Sequence, residues 1–101
     1  MSDSFSFEDF LAQQRAEYRA SLPGRLQQLE AAWAAGAWRD LERCAHGLAG
    51  SAATFGLPAL GDAARELEEA VERAQPQPDA AAREALARQV EALADLLRST
   101  T

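Results

Sequence analysis

Apolar residues recur along this chain in four stripes of helical spacing, punctuated by glycine and proline. The first stripe is Phe7, Phe10, Leu11, Tyr18, Leu22, Leu26, Leu29 and Trp33. Its steps of three, four and seven residues gather these side chains on one side of a helix. Pro23-Gly24 interrupts it. Proline suits a first helical turn and kinks a helix interior. The stripe therefore reads either as a short helix over 7–21 followed by a second over 22–35, or as one kinked helix. Gly36 sits where a helix C-cap belongs.

The second stripe, Trp38, Leu41, Ala45, Leu48, Ala52 and Phe55, predicts a helix over 37–55 that Gly56 closes. Pro58 suits the first turn of the next helix, whose stripe is Leu57, Leu60, Ala64, Leu67 and Val71. The tight connection makes these two helices a hairpin. Gln75-Pro76-Gln77-Pro78 reads as a loop, because neither proline fits a helix interior. Asp79 can cap a last helix with Leu86, Val90, Leu93 and Leu97 facing inward. Amphipathic helices with short connections pack as an all-α, antiparallel up-and-down bundle. There is no internal repeat.

Composition agrees. The 101 residues are enough for one domain, expected over 1–101, with one modest core. Alanine and leucine favour helix, and few β-branched residues favour strand. The net charge of −6, with arginines dispersed among acidic neighbours, argues against nucleic acid. No apolar run approaches the roughly 18–20 residues that cross a bilayer. The N-terminus lacks the basic start and apolar core of a secretion signal. A single cysteine, Cys44, allows no internal disulfide and fits a reducing compartment. A cytoplasmic, monomeric domain with no membrane partner is expected.

Candidate chemistry converges on the only histidine. At about 100° per residue, His46 lies roughly 130° from the centre of the second stripe and should face solvent. Ala49, Gly50 and Ala53 surround it, all too small to block an incoming surface. Imidazole is the side chain that is largely neutral near pH 7, as a nucleophile must be. Glycine in a helix interior costs roughly 0.5–1 kcal/mol against alanine, a reasonable cost at Gly50 if a partner must approach. Cys44 flanks the stripe as a small, partly buried residue, and Trp33 and Trp38 straddle Gly36 to pack the end of the bundle. Glu66, Glu68, Glu69 and Glu72 read as a solvated helix face rather than a metal site, since no histidine or cysteine joins them. A phosphate loop, metal-ligand spacing and a general-base pair are all missing, which disfavours an independent enzyme.

With these residues placed, the chain resembles the histidine-containing phosphotransfer domain of multistep two-component relays. The pattern is a histidine, a leucine two on, a glycine four on, a small residue six on, a second glycine ending the helix, then a leucine and a later Leu-Glu pair. His46, Leu48, Gly50, Ala52, Gly56, Leu60, Leu67 and Glu68 occupy those positions, and the match is close over 22–71. The resemblance implies a four-helix bundle with a short or kinked additional N-terminal helix. It implies a phosphoryl group carried on His46, received from a receiver-domain aspartate and passed to another receiver. The partners so implied are the receiver of a hybrid sensor kinase and that of a response regulator, in a bacterial relay. No ATP site and no cofactor of its own are expected. Magnesium is expected on the partner receiver.

Many family members carry a lysine three residues after the histidine, read as touching the phosphoryl group; here that residue is Ala49. Arg43 and Arg39 lie one and two turns before His46 on its exposed side and can supply the charge. Glu42, Ala49, Gly50 and Ala53 are the candidate partner-docking residues. The alternative reading is a helical module that docks a receiver or kinase domain without carrying phosphate.

Overall fold

The computed structural model describes residues 6–100. Their order is α1 (Phe7–Ala35), α2 (Trp38–Ser51), α3 (Pro58–Arg73) and α4 (Ala80–Thr100), with no strand among the described residues. The molecule is a rod of 63 × 20 × 19 Å. Around it α1 packs on α2, α2 on α3, α3 on α4 and α4 back on α1, closing a four-helix bundle.

The ambiguity at Pro23 resolves to one helix. α1 runs unbroken for 29 residues with Pro23 inside it, about 43 Å at 1.5 Å per residue. No separate N-terminal helix exists among the described residues; the additional segment is the first turns of α1. A capping box starts it: Asp9 N–H donates to Ser6 Oγ at 3.1 Å, and Ser6 N–H donates to Asp9 Oδ2 at 3.2 Å. The first turns overhang the bundle. Arg15 already lies beside Gly56 at the hairpin tip, and Phe7 remains 73% exposed, stacked on Phe10. Those two residues of the first stripe are not core.

α2 is shorter than its stripe predicts. The regular helix ends at Ser51, and residues 52–56 continue as turns. The closure at Gly56 is as expected. Gly56 has φ +85°, its N–H donates to Ala53 O at 3.1 Å, and Leu57 N–H donates to Ala52 O at 2.9 Å. That five-to-two and six-to-one pair is a Schellman closure, which needs a left-handed residue. Gly36 repeats it at φ +63°, with bonds from Gly36 to Trp33 O and Ala37 to Ala32 O. Asp79 caps α4 by accepting from Ala82 N–H at 2.8 Å.

The core draws on every helix. Leu22, Leu29, Leu41, Leu48, Leu67, Leu86, Leu93 and Leu97 are its largest fully buried side chains. Each contributes about 1.5–3 kcal/mol on burial. Trp33 and Trp38 meet edge to face at 5.8 Å beside this core. Arg98 ties α4 to α1 through Glu30 at 2.6 Å. Among the described residues no helix is long and apolar enough to cross a membrane.

Candidate functional site

α2 presents His46 on its outer side. Leu41, Ala45 and Leu48 point into the core, which turns His46 outward with 72% of its side chain exposed. The ring is not a free rotor. Glu68, one side chain of the α3 face read above as merely solvated, lies 2.6 Å from its Nδ1 and is only 18% exposed. A carboxylate can only accept, so Nδ1 carries the proton and donates it. The lone pair is then on Nε2. Helix periodicity contains no signal for this contact, because it joins two helices across 22 positions. The resemblance placed Glu68 in the family pattern without pairing it with His46.

The surroundings are charged on both sides. A shallow concavity of about 250 Å³ is lined by His46, Glu68, Arg39, Glu42 and Arg43. The structure thus brings together four of the sequence-selected residues. Arg43 Nη1 pairs with Asp40 Oδ1 at 3.2 Å. Glu42 Oε1 accepts from Gln75 Nε2 at 3.0 Å, which draws the loop after α3 toward the site. Glu72 faces the same carboxylates. What burial it has, then Glu42 and Glu68 opposite, push its carboxyl above the ordinary glutamate range.

The small residues divide. Gly50 is exposed, and a Cβ built on it meets nothing within 4 Å. No packing or backbone reason holds glycine there. Ala53 is exposed as well. Ala49 is not: it is 7% exposed, a correction to its expected place on the docking surface. α2 is packed by α1 on one side and α3 on the other, so its buried arc is wider than the stripe's centre. Arg65 of α3, which sequence reasoning passed over, reaches across that position to Ala49 O at 3.5 Å. Gly47, also exposed, was missed too; a Cβ there would lie 3.7 Å from Arg25 Nη1.

A relay of hydroxyls props this surface from below. Ser51 Oγ–H donates to Gly47 O at 2.7 Å. With that proton used, Tyr18 O–H donates to Ser51 Oγ, also at 2.7 Å. Phe55 stacks on the Tyr18 ring at 4.6 Å. Cys44 is half-buried, and burial first, then Asp40, pushes its thiol up, away from the thiolate a reactive cysteine needs. Among the described residues no three His, Cys, Asp or Glu side chains gather as a metal site.

A family model, the Hpt domain, matches residues 13–99. No curated protein and no solved structure matches the chain.

Proposed function

The chain belongs to the Hpt domain family, whose members carry phosphoryl groups on histidine in phosphorelays and meet receiver domains there; from that premise we propose that His46 is the acceptor and Nε2 its reacting atom. The observation that supports this most is the His46–Glu68 bond. It leaves one ring nitrogen with a lone pair and aims that nitrogen at solvent.

The step balances on this chain's residues. The Nε2 lone pair attacks the phosphorus of a receiver's aspartyl phosphate. The N–P bond forms, the P–O bond breaks, and its electron pair returns to the receiver carboxylate. The ring, still protonated on Nδ1, becomes a phosphoimidazolium whose positive charge Glu68 faces. Transfer onward to a second receiver is the same step reversed. Phosphoryl transfer asks mainly for positioning and charge neutralisation. Glu68 fixes the ring, Gly50 and Ala53 leave room for the docking surface, and Arg39 and Arg43 offset phosphoryl charge. Magnesium belongs to the receiver in this reading. The protein is a phosphocarrier and not a kinase, and the cytoplasm is where its receivers would be.

The test is incubation with a phosphorylated receiver, followed by assay for acid-labile phosphate on this chain. We expect label on the parent and none on His46→Gln, with a folding cost no larger than the about 1.5–3 kcal/mol of the lost bond to Glu68. Label persisting on the variant sinks the assignment. Binding without label on the parent leaves only a docking module.

A further inference from the structure

The two arginines beside His46 are not equivalent. Arg39 makes no ion pair among the described residues, whereas Arg43 is paired with Asp40. Arg43 also stands on a ridge. It lines the His46 concavity on one side and, on the other, a groove of about 480 Å³ between α1 and α2. Asp40 lines that groove and not the His46 concavity. Arg43 Nη1 is thus held by a carboxylate of the groove rather than by a group of the His46 concavity.

Resting on the reading of His46 as acceptor, we propose that Arg43 is an exchangeable ligand of the phosphoryl group and that Asp40 is the positioning carboxylate that competes for it. While His46 is bare, Arg43 stays on Asp40. When His46 is loaded, Arg43 crosses the ridge to the phosphoryl oxygens. Residues 40, 43 and 46 follow one another at three-residue steps on one strip of α2, so side-chain rotation alone makes the exchange.

The balance of partners favours the exchange. The Arg43–Asp40 pair is exposed on both sides, 73% and 61%, and such pairs are weak. A phosphoryl group offers three acceptor oxygens and close to two negative charges, which the guanidinium fork matches with two parallel bonds. The remaining carboxylates do not hold Arg43. Glu68 is engaged by His46, and Glu42 by Gln75. Position 49, one turn after His46, carries a buried alanine and supplies no charge. Asp40 therefore keeps the carrier from gripping its cargo fully, and the group stays ready to leave.

The experiment loads His46 with phosphoramidate, which needs no receiver: Nε2 attacks phosphorus, the donor's P–N bond breaks and ammonia leaves. Loss to water is then followed, the N–P bond breaking with its electron pair returning to the imidazole as phosphate departs. Asp40→Asn should lengthen the phosphohistidine half-life about two- to fivefold, and Arg43→Ala should shorten it by a similar factor. The double variant should match Arg43→Ala, and Arg43→Lys should recover part of the loss. The Arg43 Nε–H resonance should move on loading in the parent. An Asp40→Asn effect that is absent, or equal in the presence and absence of Arg43, overturns the exchange, as does an Arg43 resonance that stays put. If receivers fail to load His46 while the phosphoramidate cycle behaves as described, the relay reading falls and this one stands.

Discussion

One hydrogen bond decides what His46 can do. An exposed imidazole without a partner would present either nitrogen in either tautomer. Glu68 removes that freedom and still leaves the ring 72% exposed. The bond has two separable contributions, orientation and charge. Glu68→Gln keeps a carbonyl acceptor for Nδ1–H and loses the charge opposite the phosphoimidazolium; Glu68→Ala loses both. We expect Glu68→Gln to slow phosphoryl uptake modestly. Glu68→Ala should slow it by about 10- to 100-fold, as a lost charge-assisted bond of about 1.5–3 kcal/mol implies. Uptake rates for the two variants check this, and equal rates would assign the whole effect to charge. The direction of His46 was legible in the stripe of α2, because one helix face suffices to define the opposite one. Its partner was not, because local periodicity carries no register between helices.

At the scale of the helix, the proposed function asks that α2 be open to a partner. Gly50 gives up helix stability with open space where its side chain would stand. Gly50→Leu should raise folding stability by about 0.5–1 kcal/mol, since leucine is the better helix former. It should also slow transfer from a receiver on the order of tenfold, equivalent to about 1.4 kcal/mol of barrier. Thermal unfolding and transfer kinetics on the same variant decide it, and higher stability with unchanged transfer would make Gly50 incidental. Element ends were the most legible part of the chain: Gly36, Gly56, Pro58 and Asp79 all act where their chemistry placed them. Other features were not. α1 continues through Pro23 because its apolar stripe is buried on both sides of the proline, at Leu22 and Leu29. Ala49 is buried because two helices, not one, cover α2.

Across the whole molecule, negative charge concentrates on α3, where Glu66, Glu68, Glu69 and Glu72 follow closely. The raised carboxyl of Glu72 has a thermodynamic sign. A group whose folded titration lies above its unfolded one costs stability once ionised; the cost is absent below the unfolded range and appears as pH rises through the folded one. Glu72→Gln should therefore be more stable than the parent at pH 7 and indistinguishable from it near pH ~3, below the ordinary glutamate range. Melting temperatures at the two pH values test this, and an equal difference at both would refute it. The core makes a complementary case. Leu29→Ala, on α1, should cost about 2–5 kcal/mol in unfolding experiments, while leaving transfer per folded molecule unchanged.

That last contrast follows from where the proposed chemistry sits. His46 and Glu68, with Arg39, Glu42, Arg43 and Gly50, all belong to the hairpin of α2 and α3, whereas α1 and α4 complete the core behind it. Heredity can treat the two pairs differently. A substitution that arises on α1 or α4 is filtered by whether the chain still folds; one on the outer face of the hairpin is filtered by whether the message still passes. Apart from Tyr18, whose hydroxyl bonds Ser51 beneath the site, the helices behind the hairpin answer to folding alone, and a natural variant of this protein can be interpreted first by asking which helix it falls on.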